Sequence, residues 1–134
     1  MAAMGLVSLK YLDRDNSYRR QLAKWYEEQL ADDDLIRVVP VSKNCESSRH
    51  LFQVCIDRRD EVLMALNERE IYPGVHYRDN TEYELYSDEN GTCPKAHNAS
   101  KQILSLPMHM AISKSDIEFI IKTLKNIVYK GIQS

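Results

Sequence analysis

The first thirty residues carry apolar side chains at helical spacing. The residues that share one face are Tyr18, Leu22, Trp25, Tyr26 and Leu30. This spacing predicts a helix over residues 2–30, which the polar run 13–17 is expected to bend or interrupt. Because no capping residue starts this helix, the chain is expected to open inside a helix, as a truncated protein would. A frayed terminus with a tag remnant is the alternative.

Two β-branched stretches follow this helix. Residues 35–41 are short and rich in valine and isoleucine, which predicts a strand. Residues 49–57 give the clearest strand pattern, because Phe52, Val54 and Ile56 fall on one face while the residues between them fall on the other. Both segments are therefore expected to pair in one sheet.

The middle of the chain is predicted to alternate between a helix and irregular structure. A helix is expected over residues 58–70, with Asp57 as its cap. Residues 71–77 favour a short strand, which a Pro-Gly pair breaks. Residues 78–92 are polar and aromatic without a clear period, and they are expected to form a long loop. Loops of this length in a small domain often carry function.

The last third of the chain predicts helix, strand and helix. Pro94 favours the first turn of a helix that runs to Gln102, and residues 103–107 favour an extended segment. Ser113 and Asp116 have the spacing of a capping box. The helix that follows has one wide apolar stripe. The stripe consists of Ile117, Ile120, Ile121, Leu124, Ile127 and Val128.

The order of these elements predicts the fold class. Three or four short strands are too few to carry helices on both faces of a sheet. We therefore expect an α+β fold, in which a small, mostly antiparallel sheet of three to four strands has helices packed on one side, after a long N-terminal helix. Residues 1–134 are interpreted as a single domain, with 1–30 as a linking helix and 31–134 as the α+β lobe.

Composition and charge exclude several classes of partner. The chain has 134 residues, of which 43% are hydrophobic and 28% charged, with a net charge of −2. This balance predicts a folded domain and no binding of nucleic acid. No apolar run approaches the length of a membrane span, and the N-terminus lacks the pattern of a secretory signal. With three unpaired-looking cysteines, the sequence indicates a cytoplasmic protein.

Most kinds of reactive site find no support in the sequence. No serine lies in a nucleophile elbow, and the four glycines form no phosphate-binding loop. The cysteines and histidines lack the paired spacing of a zinc site, so His97 is interpreted as an ordinary surface histidine. Cys55 is expected in the core, and a dyad of Cys93 with a distant histidine is a weak alternative. Asp32 to Asp34 are interpreted as a solvated turn at the end of a helix.

One polar cluster remains as a candidate site. Residues 74–80 place His76, Tyr77, Arg78, Asp79 and Asn80 at the end of a predicted strand and the start of the long loop. These side chains offer many hydrogen-bonding groups for sugar hydroxyls or phosphate oxygens, and a histidine also moves protons near neutral pH. The alternative is that they serve only to solvate the loop.

At these residues the chain resembles the C-terminal part of the DegT/DnrJ/StrS family of sugar-nucleotide aminotransferases. The resemblance covers nearly the whole chain in order, although each motif is short. The similar segments are Ala2–Leu6, Arg19–Tyr26, His50–Phe52, Asp57–Asp60, Gly74–Tyr77, Cys93–Ala96 and Ser105–His109. After Tyr77 the sequence departs from the family, since many members have prolines where this chain has Arg78.

The resemblance implies a fold-type I enzyme whose large domain holds pyridoxal phosphate on a lysine. None of the nine lysines lies in a segment like the family's Schiff-base motif. We therefore expect no cofactor and no catalytic residue in this chain, and no transaminase activity from it alone. The family places its His-Tyr pair beside the sugar nucleotide, which implies substrate-binding roles for His76 and Tyr77, with Arg78 and His50 as further candidates. Residues 105–109 are interpreted as structural.

Three hypotheses follow for the molecule. The first is a fragment of an aminotransferase that acts on keto sugar nucleotides and contributes part of the substrate pocket. The second is a stand-alone module that binds a nucleotide sugar or a protein. Under either, the apolar residues 2–12 predict a homo-oligomer or a partner that supplies the large domain. The third is a ferredoxin-like regulatory domain with chance motif matches.

Overall fold

A computed structural model describes residues 2–131 of the chain. The strands are β1 (Arg37–Val38), β2 (Phe52–Cys55) and β3 (Ile103–Leu106). The helices are α1 (Ala2–Leu9), α2 (Leu12–Leu30), α3 (Arg59–Asn67), α4 (Pro94–Gln102) and α5 (Lys114–Lys130). Two short 3-10 helices, Asn80–Glu82 and Glu84–Glu89, lie within the segment that the sequence predicts as a long loop.

The three strands form one antiparallel sheet in the order β1-β2-β3. Val54 of β2 lies opposite Val38 on one side and Leu104 on the other, and Phe52 lies opposite Leu106. Because side chains alternate along a strand, these residues face the same side of the sheet. The described strands are shorter than the predicted segments 35–41 and 49–57.

The core lies between this face of the sheet and helices α2, α3 and α5. Tyr26 of α2 is fully buried and stacks on Phe52 of β2, with ring centroids 4.7 Å apart. Its hydroxyl donates a hydrogen bond of 2.9 Å to the Pro107 carbonyl, so the one polar atom of the ring is satisfied. Burial raises the pKa of this phenol well above its ordinary value. The predicted apolar stripe of α5 supplies Ile117, Leu124 and their neighbours to the same core.

The predicted fold class is confirmed. The structure is α+β, its sheet has three antiparallel strands, and helices α2, α3 and α5 bury their apolar residues against one face. The capping box of α5 is also present, because the Ser113 hydroxyl accepts from the Asp116 amide at 3.3 Å and the Ser113 amide donates to the Asp116 carboxylate at 2.8 Å.

The expected strand over residues 71–77 is wrong. Only Gly74 pairs with the sheet, through two backbone hydrogen bonds of 2.8 and 2.9 Å to Ser105 at the outer edge of β3. Pro73 has no amide hydrogen to donate. The His76 carbonyl accepts instead from the Gln53 side chain, at 2.7 Å. The segment is therefore held at two points and does not form a ladder.

The expected interruption at residues 13–17 is also wrong. The break falls at Lys10 and Tyr11, between α1 and α2. Asp13 and Asp15 lie in the first turn of α2, where a carboxylate interacts favourably with the helix dipole. The Ser17 hydroxyl donates to the Asp13 carbonyl within the helix, at 2.7 Å. The polar run thus marks the start of α2 and does not interrupt it.

Asp57 does not cap α3, contrary to the sequence prediction. The residue at the cap position is Arg58, which has a left-handed backbone with φ of 55° and makes no side-chain cap. The Asp57 carboxylate accepts a hydrogen bond of 3.0 Å from the Gln102 side chain at the end of α4. Asp60 and Glu61 supply negative charge to the first turn of α3, where it interacts favourably with the helix dipole.

Candidate functional site

Two polar residues beside His76 lie on the face of the sheet opposite the core. Phe52 and Val54 point into the core, so Gln53 of β2 projects from the other face. Ser105 of β3 lies directly opposite Gln53 and shares that face. The segment that contains His76 crosses this surface next to both residues.

His76 is fixed by contacts at both its backbone and its ring. The Gln53 Nε2 donates to the His76 carbonyl at 2.7 Å. The Nδ1 atom of the ring lies 3.0 Å from the Ser105 hydroxyl oxygen. A Cβ atom placed on Gly74 would lie 2.5 Å from the His76 Cε1, so the ring occupies the space that a side chain at position 74 would need.

A cleft of about 700 Å³ opens beside this histidine. The residues that line it include His50, His76, His109, Met108, Ser105 and Phe119. His50 and His76, which the sequence singles out separately, thus contribute to the same concave surface. An apolar cleft with a few convergent polar groups is the usual form of a small-molecule site.

Tyr77 and Arg78 do not line the cleft. The Tyr77 side chain is 71% exposed and meets the His76 ring edge to face, with centroids 5.2 Å apart. The Arg78 Nε donates to the Glu82 carboxylate at 2.8 Å, and the guanidinium group lies over the Tyr83 ring. In this structure Arg78 therefore bridges two residues of its own segment.

The segment after His76 is anchored by a buried carboxylate. Asp79 accepts hydrogen bonds of 2.9 Å from both the amide and the hydroxyl of Thr81, and its other oxygen lies 3.1 Å from the His97 Nδ1. The bonds from the Thr81 amide and hydroxyl hold the pKa of the Asp79 carboxyl below its usual range. His97 also lies 3.6 Å from Glu82, so α4 holds the start of the segment against the domain.

His97 thus differs from the surface histidine that the sequence suggests. The sequence analysis also does not predict a role for Gln53 and Ser105, which orient His76. Each lies more than twenty residues from its partner, at separations of 23 and 29. Only the register between β2 and β3 brings these polar residues together. The available signal was one polar residue on each of β2 and β3, at a position between two apolar residues that face the core.

The described residues offer no metal site and no lysine for a cofactor at the cleft. Within residues 2–131, no three histidine, cysteine or carboxylate side chains come together as metal ligands would. None of the nine lysines lines the cleft. A Schiff base with pyridoxal phosphate needs such an amine, so the residues of this cleft do not fit that cofactor.

The fold and the cleft define a small α+β lobe with a substrate-sized surface cleft. The family model of the DegT/DnrJ/EryC1/StrS aminotransferases matches residues 1–125, and the chain belongs to this family. This is the family that the sequence motifs resemble. Within the described part of the chain, no helix has the length and apolar character needed to cross a membrane.

Similar proteins are longer than this chain. The UDP-4-amino-4,6-dideoxy-N-acetyl-beta-L-altrosamine transaminase of Campylobacter jejuni is 27% identical over 96% of the chain, and the match spans 36% of that protein. The chain therefore spans about a third of the length of such relatives.

Two solved structures have the same fold. DesV of S. venezuelae, in complex with a ketimine intermediate, superposes on 93% of the chain with a TM-score of 0.87 and 29% identity, over 35% of its own length. A sugar aminotransferase of Streptococcus pneumoniae in its PLP form superposes on 96% with a TM-score of 0.88 and 25% identity, also over 35% of its length.

Proposed function

We propose that this chain is the C-terminal part of a PLP-dependent aminotransferase that acts on keto sugar nucleotides. In this proposal it contributes part of the substrate pocket and does not catalyse the reaction alone. The small domain would comprise residues 31–134, with residues 1–30 as the helix that links it to the large domain. Family membership and the one-third coverage of the relatives support this assignment.

The observation that carries the pocket assignment is the fixed His76 ring at the cleft. Gln53 bonds the His76 backbone carbonyl and Ser105 bonds the ring Nδ1, so the orientation of the ring is set before any ligand binds. Preorganised polar groups bind a ligand without the further cost of ordering them. His50 lines the same cleft and adds a second imidazole. Tyr77 and Arg78 follow His76 in the chain and would meet the ligand only where it extends beyond the cleft.

The cofactor would come from another part of the enzyme. None of the nine lysines lines the cleft, and Lys125 is held by a hydrogen bond of 2.9 Å to the Gln29 carbonyl and an ion pair with Asp33. When bound in a complete enzyme, pyridoxal phosphate would supply the electron sink for transfer of the amino group. This chain would only bind and orient the sugar nucleotide, in the cytoplasm.

The partner in this proposal covers helix α1. Every described residue of α1 is exposed, including Leu6 and Leu9 at 67% and 63%. Exposed apolar patches of this kind mark interfaces. We propose that α1 packs on a large domain, or in its absence on a second copy of the chain.

An amide NMR titration with UDP and dTDP sugars tests the pocket assignment. A half-pocket is expected to keep weak affinity, with a Kd on the order of 1 mM. We expect shifts centred on residues 50 and 76–80, and their loss in His76→Ala. The control is Lys122→Ala, because Lys122 is exposed and does not line the cleft. A well-dispersed spectrum that does not respond at tens of millimolar ligand would contradict the pocket assignment.

The alternative function is a stand-alone nucleotide-sugar-binding or interaction module. The cleft favours it, because it is formed by this chain alone. Affinity in the micromolar range would support the module, since an isolated half of a shared pocket should bind more weakly. Trapping of a pyridoxyl-lysine with borohydride would contradict both readings, because neither gives this chain a cofactor lysine.

A further inference from the structure

The buried hydroxyl of Ser105 contacts the ring of His76. Ser105 is 3% exposed, and across residues 2–131 its oxygen has one hydrogen-bond partner, the His76 Nδ1 at 3.0 Å. A neutral imidazole has one N–H and one bare nitrogen, whereas a serine hydroxyl both donates and accepts. Two arrangements of the pair therefore exist, and they differ in which nitrogen carries the proton.

Hydrogen-bond satisfaction selects one of these arrangements. If the Nδ1 atom carried the proton and donated it to Ser105, the serine O–H would be buried without an acceptor in the described structure. An unsatisfied buried donor is costly. If Ser105 donates to a bare Nδ1, both groups are satisfied inside the protein. The remaining ring proton then lies on Nε2.

We infer that Ser105 fixes neutral His76 as the Nε2–H tautomer, so that His76 presents a hydrogen-bond donor to an oxygen acceptor of the ligand. The tautomer is inferred from this chain alone, and the ligand in the statement rests on the proposed function. Ser105 is a positioning residue in this inference, because it acts on the ligand through His76. The acceptor is a phosphate oxygen or a sugar oxygen of a sugar nucleotide.

Three neighbouring contacts prevent the pair from rearranging. Ser105 is held on the strand by two backbone bonds to Gly74 and by its register opposite Gln53. The Gln53 side chain holds the His76 carbonyl at 2.7 Å. The ring fills the space beside the Gly74 Cα. A 180° flip of the ring would place the Cδ2 atom where Nδ1 lies and would break the bond to Ser105.

The test is a long-range proton–nitrogen NMR correlation of the histidine rings at pH 8, in the full chain labelled with nitrogen-15. This spectrum distinguishes the bare nitrogen from the one that carries a proton. We expect the Nε2–H form of His76 to exceed the other by at least about tenfold, the ratio that 1.4 kcal/mol corresponds to. A protonated Nδ1 as the major form overturns the inference.

Serine variants separate positioning from folding. Ser105→Ala is expected to reduce the population ratio of the two His76 tautomers to about threefold or less. This ratio corresponds to a free-energy difference of well under 1 kcal/mol. Ser105→Thr retains the hydroxyl and is expected to restore the Nε2–H form. Ser100→Ala is the matched control, because Ser100 is also buried and, among residues 2–131, its hydroxyl bonds only the His97 carbonyl. Unchanged His76 nitrogens in a folded Ser105→Ala variant overturn the inference.

Ligand probes then identify the acceptor. Titration with UDP tests a phosphate oxygen, and titration with N-acetylglucosamine tests a sugar oxygen. The probe that supplies the acceptor is expected to shift the His76 Nε2–H signal, and Ser105→Ala is expected to weaken its binding about fivefold. A shift confined to Nδ1 overturns the inference. If neither probe binds while the tautomer responds to Ser105 as expected, the proposed function fails and the tautomer assignment stands.

Discussion

At the scale of single residues, Gly74 and His76 act as a pair. The Gly74 backbone bonds β3, and the absence of a side chain leaves room for the imidazole. The backbone of Gly74 is not left-handed, so its special role lies in the close approach of the ring and not in conformational freedom. The candidate site thus depends on a residue with no functional group.

Gly74→Ala is therefore expected to displace the His76 ring without unfolding the domain. The new Cβ would lie 2.5 Å from the His76 Cε1, so the ring has to move and its bond to Ser105 is lost. We expect a loss of about 1–3 kcal/mol in the free energy of unfolding, as for other overpacked positions. Urea denaturation measures this loss, and the histidine NMR spectrum detects the displaced ring.

Gly5→Ala is the control for this substitution, because a Cβ at Gly5 meets no atom within 4 Å. It lies in α1, where alanine is the better helix former, so it should be neutral or slightly stabilising. An unchanged His76 spectrum in Gly74→Ala would contradict the packing argument.

At this scale the sequence identifies the residues that carry reactive groups but not the ones that orient them. His50 and His76 stand out because imidazoles are chemically versatile and lie in family-like motifs. The sequence does not reveal Ser105, because a serine on a strand has the same local pattern whether or not a histidine approaches it. That contact depends on how a segment 29 residues away crosses the sheet.

At the scale of elements, Asp33 connects the end of α2 to α5. Its carboxylate accepts from the amides of Leu35 and Ile36 at 3.1 and 2.9 Å and from the Tyr129 hydroxyl at 2.9 Å. Lys125 lies 3.3 Å away, and the Asp33 side chain is only 2% exposed. The run of three aspartates is thus not simply the solvated turn that the sequence suggests.

Asp33→Ala is expected to lower the free energy of unfolding by about 2–3 kcal/mol, because it removes a buried acceptor and leaves several donors unpaired. Asp34→Ala is the control, since Asp34 is exposed and should change stability by less than about 0.5 kcal/mol. Chemical denaturation at pH 7 measures both. Equal losses in the two variants would contradict the assigned role.

The loss of stability in Asp33→Ala is expected to depend on pH. Desolvation alone would raise the pKa of Asp33, but the hydrogen bonds from Ile36, Tyr129, Lys125 and Leu35 outweigh it and lower the pKa. A lowered folded pKa contributes stability above the unfolded value of about 3.9, and this stability is lost as pH falls through the folded pKa. The difference between wild type and Asp33→Ala should therefore shrink below about pH 4. A constant difference from pH 7 to pH 2.5 would contradict this assignment.

Long apolar stripes and capping pairs predict elements well in this chain, and short polar runs do not. The α5 stripe and its capping box are confirmed because periodicity and capping both depend on residues within the helix. The predictions for the break before α2 and for the cap of α3 are wrong, because a polar side chain near a helix end can serve several roles. Asp57, for example, bonds Gln102 of α4 instead of its own helix.

At the scale of the whole molecule, the hydrophobic core is complete without α1. Every buried core residue lies between Leu22 and Ile127, and α1 buries none. The fold class could be predicted because the order and number of elements restrict the architecture. The partner of α1 stays a prediction, since the described structure shows only that its apolar residues are exposed.

An isolated helix of eight residues is unstable in water, so α1 needs a covering surface to remain folded. For the chain alone, the available surface is a second copy. We expect sedimentation to show a dimer or a larger oligomer, and the double substitution Leu6→Gln with Leu9→Gln to shift it to monomer. Leu85→Gln is the control, because Leu85 is 82% exposed and lies outside α1. A wild-type chain that stays monomeric at high concentration would contradict self-association, and dissociation caused by Leu85→Gln would place the contact elsewhere.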